Sequence, residues 1–143
     1  MQSQKITTFL WFDGNRAEEA AKFYASVFPG AKVLDTNPMT TTFELFGQRF
    51  IALNGSQGRP FTEAISLFVD CEDQAEVDRY WAALTANGGQ ASQCGWLKDK
   101  YGVSWQIIPR ALMRLISNPK AMQAMLKMQK IDVATLERAA KEG

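Results

Sequence analysis

The sequence predicts an α+β fold made of two tandem βαβββ modules, a cupped mixed sheet with helices outside, followed by a C-terminal helical tail. Three observations carry this expectation. Sliding the chain against itself by 57 residues sets Leu10-Trp11-Phe12-Asp13 on Leu67-Phe68-Val69-Asp70, then Glu19 on Glu76, Lys22 on Arg79 and Phe23-Tyr24 on Tyr80-Trp81. A repeat of that period marks a duplicated supersecondary unit. In each copy an apolar, aromatic-rich run comes before a stretch of helical period, and short runs broken by Gly-containing turns follow it.

The first strands are expected over 6–12 and 65–69, each apolar on both faces and each ended by an acid, Asp13 or Asp70. These two acids are read as capping or turn residues. Asn15 with Glu18, and Asp73 with Glu76, have the spacing of a capping box at a helix start. Ala17, Ala20, Ala21, Tyr24 and Phe28 form one apolar stripe, and Val77, Tyr80, Trp81 and Leu84 the other. Pro29-Gly30 and Asn87-Gly88-Gly89 stop the helices. Strands are then expected over 32–35, 41–45 and 49–53, with a tight hairpin at Phe46-Gly47, and over 90–93, 96–98 and 104–108, with a turn at Lys100-Tyr101-Gly102. After Pro109 the period becomes helical again. Leu112, Met113 and Ile116 form a short stripe, Asn118-Pro119 offers a cap and a first-turn proline, and Met122, Met125, Leu126 and Met128 read as core packing. Asp132 opens a last amphipathic turn. The expected organisation is one domain over 1–143, with modules at 5–55 and 62–109 and the tail at 110–143.

Composition narrows the function. With 16 basic and 15 acidic residues in 143, the chain has no net field to hold a polyanion, so a nucleic-acid partner is not expected. No apolar run suggests a signal or a membrane span, and the expected location is cytoplasmic. Cys71 and Cys94 are the only cysteines and read as buried thiols. Histidine is absent, which removes the usual general base near neutral pH and the commonest metal ligand.

The segments FLWFDGNRAEEAAKFYASVFPGAKV, RFIALNG, EAISLFVDCEDQAEVDRYW, CGWLKDKYGVSWQIIP and QAMLKMQKIDVATLERAA resemble, in order, the PhnB-like branch of the vicinal-oxygen-chelate (glyoxalase/bleomycin resistance/dioxygenase) superfamily. Some members of that branch carry the label 3-demethylubiquinone-9 3-methyltransferase. The resemblance implies two modules curving around one pocket, a homodimer, and, in metal-using relatives, ligands at four inward positions. Here those positions fall at Thr7, at Ala64, near Ala52 or Asn54, and at Gln106, and they lack imidazole and carboxylate. No metal and no other cofactor is therefore expected.

What remains is a cup. Residues spaced by two along the strands would line it: Thr7, Phe9 and Trp11; Ala64, Ser66 and Phe68; Ser104, Gln106 and Ile108; and Phe50, Ala52 and Asn54. Thr7, Phe9, Trp11, Asn54, Ser66, Phe68, Ser104 and Gln106 are the candidate ligand contacts, with Trp105 turned outward. Glu44, as a buried general base, and Cys94, as a nucleophile, are weak catalytic candidates. The expected function is binding of a small organic molecule. The alternative is a metal-independent enzyme of lyase, isomerase or transferase type working in the same cup. The methyltransferase label is not expected to describe the activity, because no Gly-rich phosphate-cradling turn follows either apolar strand.

Overall fold

The structure is a computed structural model describing residues 4–142. The chain divides into two compact units, one ending at Pro60 and the other beginning at Phe61.

In the first unit the order is β1 (Thr8–Asp13), α1 (Ala17–Val27), β2 (Lys32–Thr36), β3 (Thr40–Leu45) and β4 (Gln48–Ser56). The sheet order is β1-β4-β3-β2, with β1 parallel to β4 and the other pairs antiparallel. The α1 stripe is the one the spacing predicts: Ala17, Ala20, Ala21, Tyr24 and Phe28 are buried. Three alanines let the helix approach the sheet closely, while Tyr24 stacks on Phe43 and Phe43 on Phe50, with centroids 5.8 and 5.4 Å apart. Such ring pairs contribute ~0.5–1.5 kcal/mol each beyond area burial. Phe46 and Gly47 both take positive φ, 50° and 80°, as the expected two-residue hairpin requires.

The expected cap of α1 is not the observed one. Asn15 lies in the turn that follows Gly14, Glu18 pairs with Lys22 at 3.1 Å, and the N-cap position is Arg16, whose side chain makes no capping bond. Asn54 on β4 supplies the missing acceptor, its Oδ1 taking the Ala17 N–H at 2.8 Å.

The second unit repeats the plan with β5 (Ser66–Cys71), α2 (Gln74–Thr85), β6 (Gln90–Ala91), β7 (Trp96–Lys98) and β8 (Ser104–Pro109), in the order β5-β8-β7-β6. Here the capping box forms as its spacing predicts. Asp73 Oδ1 accepts the Glu76 N–H at 3.0 Å, and Glu76 reaches back to the Glu72 N–H at 2.9 Å. Val77, Tyr80 and Leu84 are buried against Leu97, Trp105 and Ile107, whereas Trp81 is only half-buried. Gly89 is required by space: a Cβ there would lie 2.5 Å from the Leu84 carbonyl oxygen.

The β7–β8 turn is organised by a residue with no signature in the sequence reading. The Asp99 carboxylate is buried and accepts the Tyr101 N–H at 2.8 Å, the Val103 N–H at 3.1 Å and the Trp105 indole N–H at 2.8 Å.

The tail belongs to the second unit, as α3 (Leu112–Leu115), α4 (Pro119–Met125) and α5 (Val133–Glu142). Asn118 Oδ1 caps α4 through Lys120 and Ala121, with Pro119 in the first turn as expected. Leu112, Leu115, Ala121, Ile131 and Leu136 enclose Ile108 in a core of their own, to which Met125 and Met128 add packing. The methionine stripe is thus only partly core, because Leu126 is exposed and Met122 lies at the edge of burial, and in the short stripe before it Met113 is exposed. Gln74 ties the tail to α2, donating to the Ile131 carbonyl at 2.9 Å and accepting the Val133 N–H at 2.8 Å.

Asp99→Ala removes the acceptor of two buried donors, the Val103 N–H and the Trp105 indole N–H, and of the part-buried Tyr101 N–H, and a buried unsatisfied donor costs ~1–3 kcal/mol. We expect this variant to lose about 3 kcal/mol or more of stability, and Asn54→Ala to lose about 1 kcal/mol through its cap. Urea unfolding reads both. An unchanged midpoint for Asp99→Ala would show that the turn holds without its carboxylate.

Candidate functional site

Each sheet has one face against its helix and another left bare, except where the tail covers Ile108 on β8, and these faces gather most of the candidate ligand contacts. In β1, Leu10 and Phe12 are buried on the helix side, while Phe9 and Trp11 are 54% and 37% exposed on the other. Thr7 is half-buried and lies just before the strand. Phe9 pairs with Ile51 and Trp11 with Leu53. Thr42 and Thr40 sit opposite those residues on β3. Trp11 is well fixed: its indole N–H donates to the Asn54 carbonyl at 2.8 Å, and the Arg59 guanidinium stands 4.6 Å from its ring centroid. A cation over an indole face contributes ~0.5–1 kcal/mol where exposed.

The register of β4 differs from the expected one by a residue. Phe50 and Ala52 face α1 and are buried, and Ile51 and Leu53 hold the bare-face places. Asn54 also leaves the bare face, since its side chain caps α1 and donates to the Pro38 carbonyl at 3.1 Å. The sequence did carry the signal. A two-residue turn at 46–47 sets Leu45 opposite Gln48 and hence Phe43 opposite Phe50, so whichever side takes Phe43 takes Phe50.

In the second unit the bare face is crossed by two rows. Lys98, Ser104 and Ser66 form one, and Trp96, Gln106 and Phe68 the next. Gln106 Nε2 donates to Ser66 Oγ at 3.0 Å, and Phe68 is 58% exposed. Ser104 is buried, and its hydroxyl has no hydrogen-bond partner among the described residues. It lines a cleft of about 140 Å³ with Glu63, Gln90, Ala91, Ser92, Trp96, Leu97 and Lys98. Trp105 faces the helix and is buried. The sequence reading missed Lys98, Trp96 and Glu63, although alternation from Ser104 through the hairpin reaches the first two.

The 3-demethylubiquinone-9 3-methyltransferase family model matches residues 4–108. The chain belongs to that family. Among solved structures it is similar to the PhnB protein from Bacillus cereus, at 36% identity and a TM-score of 0.67 over 74% of this chain and 99% of that one. A protein from Pseudomonas aeruginosa matches at 20% identity and TM-score 0.60, covering 75% of this chain and 98% of that one. A glyoxalase/bleomycin resistance protein from Albidiferax ferrireducens matches at 18% identity and TM-score 0.52, covering 68% and 93%. These last two share the fold. Comparison with curated proteins finds no match. The expected PhnB-like family and glyoxalase-type α+β fold are thus found: two mixed four-stranded sheets, each with its helix, and a helical C-terminal segment. No helix among the described residues is long and apolar enough to cross a membrane.

The four positions that the superfamily resemblance marks for metal ligands do not fit a divalent transition metal. Thr7 precedes β1, Ala64 lies in a turn ahead of β5, and the β1–β4 and β5–β8 registers make Leu53 the counterpart of Gln106, in place of Ala52 or Asn54. A hydroxyl, a methyl, an isobutyl and an amide form no transition-metal donor set. Among the described residues no three His, Cys, Asp or Glu side chains gather as a metal-holding group.

The two catalytic candidates are placed as follows. Glu44 is half-buried on the bare face of β3, in register with Lys32 and Arg49. Cys94 is half-buried in a backbone of positive φ, 58°, and its thiol donates weakly to the Met125 carbonyl at 3.6 Å. Asp13 and Asp70 are expected to cap or to make turn bonds, but Asp13 accepts the Gly58 N–H at 3.2 Å from 45 residues on, and Asp70 forms an exposed ion pair with Arg110 at 3.3 Å.

Cys71 is buried, and burial first, then the Glu76 and Asp70 carboxylates, pushes its thiol up from 9.0 to about 12. The folded protein thus holds this proton more tightly than the unfolded chain. Its contribution is full below pH 9 and fades between pH 9 and about 12. Alkaline unfolding followed by circular dichroism should therefore lose part of its slope in that window in Cys71→Ala. An identical slope would show that the thiolate has no part in it.

Proposed function

We propose that this PhnB-like protein binds a small, partly aromatic organic molecule on a bare sheet face. One observation carries the reading: first strands apolar on both sides leave Phe9, Trp11 and Phe68 exposed opposite the helix-covered side. Isolated exposed apolar residues are ordinary, but aromatic rings that recur at equivalent places of a duplicated sheet need a partner. Gln106 beside Phe68 offers an amide donor and acceptor, so a ligand would be oriented by neutral hydrogen bonds. Ser66 and Ser104 add hydroxyls on the same sheet face as Phe68 and Gln106. The glyoxalase-type fold supports the reading, since a protein that shares it is named for glyoxalase and bleomycin resistance.

The activity in the family's name does not follow from these residues. Methyl-donor enzymes of the usual kind hold their cofactor where a strand of a parallel sheet enters a Gly-rich turn. Here β1 leads into α1 through Asp13-Gly14-Asn15-Arg16, and three of the four strands in its sheet are joined antiparallel.

Mass-spectrometric inventory of small molecules that co-purify with the protein should identify the ligand class. Against such a ligand, Phe68→Ala and Gln106→Ala should each weaken binding about tenfold, from a lost aromatic contact and an unpaired amide partner of ~1–3 kcal/mol. Trp105→Phe should lower stability and leave affinity unchanged, and S-adenosylmethionine should show no heat of binding. Affinity governed by Trp105 with Gln106 silent would place the site on the wrong side of the sheet.

We further propose a homodimer, supported by the apolar surface at Phe9, Ile65, Phe68, Met113 and Leu126. Light scattering of the full chain at micromolar concentration should give twice the 16.0 kDa monomer mass. A monomer mass would refute it.

A further inference from the structure

We propose that the cleft beside Ser104 holds the carboxylate of a monoanionic ligand whose flat apolar body lies along the next row of the sheet. The proposal rests on the small-molecule reading above and names the chemistry that reading leaves open. It starts from an orphan. Ser104 Oγ is buried and without a partner among the described residues, yet it lines an open cleft. A buried hydroxyl in that condition is rare in folded proteins and is satisfied by something that enters.

The charges around it define the visitor. Lys98 lines the same cleft from β7, is half-buried, and makes no ion pair among the described residues. A lysine without an ion pair that lines the same cleft as an unpaired hydroxyl makes a site for an anionic acceptor, because both groups can donate to one carboxylate. Glu63 stands on the wall as well. With one cation on the wall and the Glu63 carboxylate beside it, repulsion grows with each negative charge the visitor carries, so a dianion such as a phosphate ester is disfavoured relative to a monoanion. That favours a carboxylate over a phosphate.

Size and register define the rest. At about 140 Å³ the cleft is smaller than a whole-ligand pocket, so it takes an end group. The Lys98–Ser104–Ser66 row is followed on the same face by the Trp96–Gln106–Phe68 row, one strand repeat away, roughly 6.6 Å. A carboxylate anchored in the first row would lay its ring on the second, over Gln106, which stands between Trp96 and Phe68.

Calorimetric titration of the full-length protein with 2-naphthoate, 2-naphthamide and 2-naphthyl phosphate tests this directly on the native chain. We expect the carboxylate to bind at least tenfold more tightly than either of the others. Lys98→Gln should remove that preference and Ser104→Ala should reduce it several-fold, with circular dichroism confirming that both variants are folded. Equal binding of naphthamide would overturn the anionic assignment and leave the small-molecule reading standing. Preference for the phosphate would overturn the monoanion. Failure of all three probes would overturn the proposal, and only if no small molecule co-purified either would the broader reading fall with it.

Discussion

A four-stranded sheet has two faces, and a βαβββ unit has one helix with which to cover them. That shortage governs the molecule. On the covered side the strands bury what a helix wants to meet: Leu10, Phe12, Phe43, Phe50 and Ala52 in one unit, Leu97, Trp105 and Ile107 in the other. Alanines on α1 and larger residues on α2 set how closely each helix sits. On the other side, the same alternation turns Phe9, Trp11 and Phe68 toward open space, with Gln106, Ser66 and Thr42 among them. Any function built on this scaffold uses the side that its own helix cannot reach.

The duplication, the fold class and the element order were legible in the sequence because they depend on periodicity and on helix stops, which act over a few residues. The stripe on α1 and the Asp73 capping box were read correctly for the same reason. What failed depends on contacts far apart in the chain. Asn15 has the local look of a cap, but Asn54, thirty-seven positions beyond Ala17, supplies the acceptor. The face assignment in β4 slipped by one residue because a strand apolar on both sides carries no polar face to mark it. Asp99 looks like an ordinary turn acid, and its role appears only when the Trp105 indole swings over to it.

The candidate site was legible in part. Alternation placed Phe9, Trp11, Phe68, Ser66, Ser104 and Gln106 on faces away from the helices, and it kept Trp105 off them. Lys98 and Trp96 escaped notice because a charged residue and a tryptophan in a three-residue strand look like surface and core respectively. Only pairing with β8 shows that they share a face with Ser104. Trp11 is less free than its exposure suggests, since both its nitrogen and one ring face are already engaged.

Gln74 occupies the place in the second repeat that Ala17 holds in the first, and its amide grips the chain at Ile131 and Val133, partners 57 and 59 residues away. Nearby, Lys130 reaches Asp78 on the same helix at 2.8 Å. Closing so long a loop is entropically costly until both ends are presented by ordered structure. The segment after Pro109 therefore has nothing to dock on until α2 and β8 exist, and the chain through Leu136 must be made before Ile108 can be covered. Of the two copies, the one made last is also the one that waits longest to be complete.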